Sequence, residues 1–257
     1  MKGRAAVITG GGSGIGLAVA KSFAQAGINC VIGDLDSTTG ERAKAEIEAL
    51  GVSCEFVRAD VSQSSDVRKL IDAAAGRFGR LDILVNNAGF QHVAPVIDFA
   101  EDRWNALIGV MLTGAFLCCK YALPHMVRQN WGRVINMASL HAKVASPFKA
   151  GYVSAKHGLL GLTKVIALEM AKHNITANAI CPAYVRTPLV ERQIEEQAAR
   201  HGIPPQEVVQ KIMTEPAAIR RLLEPDEVAS LALYLCSDAA AGITGSAIDI
   251  DLGWTAH

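Results

Sequence analysis

Seven short apolar runs, at 5–9, 29–33, 54–58, 83–86, 133–138, 176–181 and 247–250, are spaced along the chain and bounded by turn-forming residues. Between them lie longer stretches, at 15–26, 39–50, 65–78, 101–129, 152–173 and 225–236, whose apolar positions recur three and four residues apart. The runs have strand length and the stretches have helical period. Because the strand runs are apolar throughout rather than alternating, both faces of each must be covered. That pattern predicts an α/β protein with a doubly wound parallel sheet of about seven strands. No linker, repeat or low-complexity tract divides the chain, so 1–257 is read as one domain. The exception to the rhythm is 187–224, rich in charge, interrupted by prolines at 188, 204, 205 and 216, and without a strand. It is either a solvated two-helix insertion or a lid above the carboxyl ends of the strands, where ligands bind in such folds. The reading taken is a substrate lid over 188–224.

Composition narrows the class. The 257 residues are 50% apolar and 19% charged, enough for a sizeable core and incompatible with disorder. Lys plus Arg and Asp plus Glu are 25 each, so no net field draws the chain to nucleic acid or an anionic membrane. The longest uncharged apolar stretch, 106–119, is about 14 residues, shorter than the roughly 18 of a spanning helix. Met1-Lys2-Gly3-Arg4 is followed by too short an apolar run for a cleavable signal. A cytoplasmic protein is expected. The six cysteines lie mostly in apolar runs without CxxC spacing and read as reduced core residues; the seven histidines are scattered, and no metal is expected.

Chemistry concentrates at three places. Residues 9–16 read Thr-Gly-Gly-Gly-Ser-Gly-Ile-Gly between a strand and a helix. Glycines allow a tight turn and close backbone approach to a pyrophosphate, and the helix presents free N–H groups and its positive end. Asp34 stands at the end of the next strand, where a carboxylate accepts from both ribose hydroxyls and repels a 2′-phosphate; the expected cofactor is NAD. The other role open to an acid there is capping the next helix, for which Asp36 is the better placed. Tyr152 and Lys156, four apart, share a helix face. An ammonium beside the phenol, together with the positive nicotinamide of the oxidised cofactor, lowers the pKa of a group that is otherwise a poor acid/base at neutral pH. Ser139 ends the fifth strand, where its hydroxyl can hold a substrate oxygen or cap a turn.

Thr9-Gly10-x-x-x-Gly14-x-Gly16, Asn86-Asn87-Ala88-Gly89, Ser139 and Tyr152-x-x-x-Lys156, in this order, resemble the short-chain dehydrogenase/reductases over essentially the whole chain. The resemblance implies a Rossmann-type fold and hydride transfer between nicotinamide and a carbinol or carbonyl carbon. Tyr152 would be the acid/base, Ser139 would polarise the oxygen, and Lys156 would hold the ribose and tune Tyr152. Cofactor contacts are implied for Gly10, Ser13, Gly14, Ile15 and Gly16, for Asp60 and Val61, for Asn87, Ala88 and Gly89, and for Pro182, Val185 and Thr187. Further matches, at 89–92, 139–141, 179–182, 185–190 and 253–256, are similar to the branch of the family acting on D-3-hydroxybutyrate. By that likeness Gln91, His141, Lys149 and Gln193 would fix a substrate carboxylate, with Ser139 and Tyr152 at the reacting oxygen and Trp254 walling the pocket. A homotetramer joined through the apolar helices 101–129 and 152–173 is implied as well.

The chain departs from the family's pattern at three points. Met111 takes the place of the asparagine that completes the family's catalytic tetrad, which predicts a slower proton relay. Ala183 replaces a glycine, and Tyr184, also expected to line the substrate site, replaces a tryptophan. The expected activity is interconversion of D-3-hydroxybutyrate and acetoacetate with NAD. The alternatives are another small hydroxy acid or polyol, or an NAD-binding protein whose catalysis Met111 impairs.

Overall fold

The computed structural model describes residues 1–256. Seven parallel strands, β1 (Ala5–Thr9), β2 (Asn29–Asp34), β3 (Cys54–Arg58), β4 (Ile83–Asn86), β5 (Gly132–Met137), β6 (Ile175–Pro182) and β7 (Ala247–Ile250), lie in the order β3-β2-β1-β4-β5-β6-β7. The sheet is as the apolar runs predict, within a residue or two at each end. The strand order reverses between β1 and β4, where Ile8 is in register with Val85, and this opens a crevice beyond their carboxyl ends.

Helices α1 (Gly14–Gln25), α2 (Ser37–Glu48) and α9 (Pro225–Cys236) cover one face of the sheet. Helices α3 (Ser64–Phe78), α5 (Gly114–Arg128) and α6 (Ala150–Met170) cover the other. The first core is built around Phe23, Ile8, Ile32 and Val228 and the second around Leu70, Leu84, Val134 and Met126, all fully buried. Each such side chain stabilises the fold by about 1.5–3 kcal/mol relative to exposure. All six cysteines are buried and free.

The stretch predicted as one helix at 101–129 is unbroken but not uniform. Helix α4 (Glu101–Ile108) runs into α5 through a π-helical turn, Gly109–Thr113, with Met111 inside it. The resulting helix, Glu101–Arg128, has 28 residues and is long and apolar enough to cross a membrane by length and composition alone. This corrects the count of about 14 residues, because helical continuity carries the segment past its polar ends. Its inward residues Cys118, Cys119, Ala122 and Met126 belong to the second core.

The segment 188–224 is helical, as expected. Helix α7 (Pro188–His201) is capped by the Thr187 hydroxyl, and α8 (Pro205–Val208) continues into a π turn. Val190, Ile194, Val208, Met213 and Leu222 form a small core of their own. Both ends are pinned at the end of β6: Val185 bridges Leu223, and Arg186 pairs with Glu191 and Glu224 at 3.1 Å each.

Candidate active site

The glycine turn sits at the mouth of the crevice and is locked from β4. The Thr9 hydroxyl accepts the N–H groups of Asn87 and Ala88 at 2.9 and 3.1 Å, while the Asn87 amide donates to the Thr9 and Gly10 carbonyls at 3.0 and 3.1 Å. Asn87 thus holds the turn itself. A Cβ at Gly16 would lie 2.1 Å from the Gly10 oxygen, and Gly14 has φ 53°, so neither position accepts another side chain without rearrangement. Ser13 precedes α1 but makes no side-chain cap, which leaves the first N–H groups of the helix for an anion.

Asp34 reaches back to the same turn, its carboxylate accepting from Gly12 N–H at 3.0 Å and Asp36 N–H at 3.2 Å. The capping of α2 falls to Asp36, through Thr38 and Thr39 N–H. After β3, Asp60 accepts from the Ser62 N–H and hydroxyl, and Val61 packs under Gly114 of α5. Pro182 ends β6, and Thr187 lies over Gly14. A pyrophosphate at an uncapped helix start, with a carboxylate at the end of the neighbouring strand to meet the ribose, fits these residues. The family's nicotinamide cofactor accordingly has a place here.

Ser139, Tyr152 and Lys156 converge beside that crevice. Ser139 and Lys156 are buried, and Lys156 Nζ donates to the Met137 carbonyl and stands 5.5 Å from the Tyr152 ring centre. Of the two roles open to it, Ser139 serves as the turn cap, its hydroxyl accepting His141 N–H at 3.1 Å. The ionisation of the pair in the protein alone follows its burial. Burial pushes the Tyr152 phenol up, opposed by the Ser139 hydroxyl, and pulls Lys156 down to about 8. In both groups desolvation, which disfavours the charged form, is the leading cause.

Of the residues expected on the substrate side, Ser139, His141, Lys149, Tyr152, Tyr184 and Trp254 come together. The His141 ring lies 6.0 Å from that of Tyr152 and 6.5 Å from that of Trp254. Its Nε2 is 2.8 Å from the Ser146 hydroxyl, a partner with no signal in the sequence. Burial and nearby Lys149 push His141 down to about 3, so it is neutral at pH 7. Lys149 Nζ donates to the Tyr184 hydroxyl at 3.1 Å. Although only 9% exposed, it pairs with no carboxylate among the described residues. The Trp254 indole N–H is buried without a partner. Gln91 and Gln193 are partly buried and stand apart from this set: Gln91 accepts His92 N–H, and Gln193 is carried on α7.

Met111 is 2% exposed and turned inward, so that a methyl on Gly89 would meet its sulfur at 3.3 Å. With Asn86, Val61 and Lys156 it lines a cavity of about 10 Å³, room for one water-sized sphere. Asn86 Oδ1 is buried without a partner, its amide nitrogen being held by Asn136 at 2.8 Å.

Comparison with known proteins agrees with this arrangement. A family model described as enoyl-(acyl carrier protein) reductase matches residues 10–255. The chain is 45% identical to the D-beta-hydroxybutyrate dehydrogenase of Rhizobium meliloti over 99% of both chains. It is 43% identical to the enzyme of that name from Cupriavidus necator over 100% of both. Among solved structures, levodione reductase superposes with a TM-score of 0.93 at 32% identity, covering 100% of this chain and 99% of that one. With the glycine turn, the serine, the tyrosine and the lysine assembled at one crevice, the chain belongs to the short-chain dehydrogenase/reductase family and is a dehydrogenase that uses a nicotinamide cofactor.

Proposed function

We propose that the protein interconverts D-3-hydroxybutyrate and acetoacetate with NAD. The observation that carries this reading is Lys149, buried close to His141, with the Tyr184 hydroxyl as its side-chain partner and no acid among the described residues. A buried charge of this kind is costly until an opposite charge reaches it, which favours a substrate with a carboxylate. Neutral His141 and the indole N–H of Trp254 add uncharged donors nearby. NAD is favoured over NADP by Asp34, whose carboxylate repels a 2′-phosphate.

In the oxidation direction, Ser139 donates its hydroxyl hydrogen to the substrate oxygen and fixes the carbinol carbon. Tyr152, as phenolate, accepts the hydroxyl proton. The nicotinamide, when bound, supplies the hydride acceptor. Because burial disfavours the phenolate in the protein alone, the positive charges of Lys156 and the oxidised cofactor must offset it. A drop of two to three units in the phenol pKa asks about 3–4 kcal/mol of them. In this reading the enzyme works in the cytoplasm and binds a small hydroxy acid, with no nucleic-acid or membrane partner.

The test is absorbance at 340 nm with D- and L-3-hydroxybutyrate, each with NAD and NADP. Turnover is expected with NAD and the D-acid, and Tyr152→Phe should reduce kcat at least a thousandfold, a loss at the upper end for one proton-transfer group (roughly 10²–10⁴-fold). Equal rates with a longer or shorter hydroxy acid would move the assignment to that substrate. Cofactor binding without turnover on any hydroxy acid would overturn it.

A further inference from the structure

Tyr184 belongs at once to the lid and to the pocket. Its ring packs against the lid's own core of Val190, Ile194, Val208, Met213 and Leu222, and its carbonyl accepts Leu223 N–H at 2.9 Å where the lid returns to the sheet. Its hydroxyl is the side-chain partner of Lys149, at 3.1 Å, with the ammonium 5.3 Å from the ring centre. Since the lysine donates, the phenol's own hydrogen is free for another acceptor.

We propose that Tyr184 is the residue by which the lid discriminates carboxylate ligands from uncharged ones, an inference that rests on the hydroxy-acid reading above. Lys149 N–H and Tyr184 O–H form two donors side by side. A carboxylate can accept from both, one oxygen to each, and gains charge-assisted bonds from the pair. An amide of the same shape presents one acceptor oxygen and two donors, which leaves one of the two groups facing a donor. Because the ring that carries the hydroxyl is part of the lid core, a ligand that fixes the hydroxyl also fixes the lid. The coupling is the difference in ligand affinity between the lid packed and the lid loosened. Tyr184 therefore acts as a positioning residue, not as one that moves a proton.

The test uses the enzyme with NAD and an unreactive pair, butyrate and butyramide, and follows tryptic cleavage in the lid at Arg192, Arg200, Lys211 and Arg220 by mass spectrometry. Butyrate should slow cleavage several-fold and butyramide should not. Tyr184→Phe should abolish the protection at unchanged fold by circular dichroism. With 3-hydroxybutyrate, Tyr184→Phe should raise KM roughly tenfold, the loss of one hydrogen bond to a charged group, with the smaller effect on kcat. Full protection of Tyr184→Phe by butyrate, or equal protection of wild type by butyramide, would overturn the inference. Failure of the substrate assignment is read separately, as absence of turnover in a wild-type protein that butyrate still protects.

Discussion

Lys156 shows how a single side chain's environment sets its chemistry. Enclosed by the sheet and α6, its ammonium is pulled from the ordinary 10.5 down to about 8. Below that pH it is charged and can support both a phenolate and a ribose; above it the charge is lost. Cofactor affinity, measured by calorimetry, should therefore fall as pH rises through about 8, and Lys156→Arg should move that fall well above the range. A profile without this limb would show that the lysine's charge does not hold the cofactor. The linkage to stability has the opposite sense. Between about 8 and 10.5 the unfolded chain binds the proton and the folded one does not, so this group's contribution to stability is present above that window and lost as pH falls through it. His141, pushed down to about 3, acts alike at lower pH, its contribution lost between the ordinary 6.5 and 3.

The spacing of Tyr152 and Lys156 is visible in the sequence because one helix carries both. The partnerships of His141 with Ser146 and of Lys149 with Tyr184 are not. The first depends on the path of an irregular loop, and the second spans 35 positions. Neither leaves a periodicity to read. The direction of the Tyr152 shift was hidden for a similar reason, since desolvation depends on everything packed around the phenol.

At the scale of the element, the π turn at Gly109–Thr113 survives although methionine occupies its inward position. An interior polar side chain there would be costly unless partnered, and Asn86 Oδ1 is a buried acceptor still without a donor in the same cavity lining. Met111→Asn can supply that donor through its amide. We expect the variant to fold, and to raise kcat severalfold in the steady-state assay if the methionine limits proton exchange at Lys156. An unchanged kcat with an unchanged melting temperature would show that the turn works equally well without the asparagine. Periodicity located this helix correctly but could not reveal the extra residue in one of its turns, because a π turn alters hydrogen bonding without altering the apolar pattern much.

For the whole molecule, the remaining question is what covers the helices on the second face. Phe116 on α5 and Val165 and Leu168 on α6 are exposed, Leu168 at 82%. A homotetramer would bury such positions against a second copy. Light scattering behind size exclusion should show a tetramer, and Leu168→Glu should give a smaller species, because a carboxylate placed in an apolar interface stays unpaired. A monomeric wild type would remove this expectation.

The sequence by itself determined the sheet, its helices and the order of the glycine turn, serine, tyrosine and lysine. These depend on local period and short spacing, which a linear chain displays directly. Even the helical insertion at 188–224 announced itself by its prolines and charge. Only the tertiary structure decided how the Asn87 amide is used, which acid caps α2, that burial lifts Tyr152, and that Lys149 and Tyr184 meet. Each of those is a contact, or a loss of solvent, between segments distant in sequence, and its energy exists only once the sheet has brought them together.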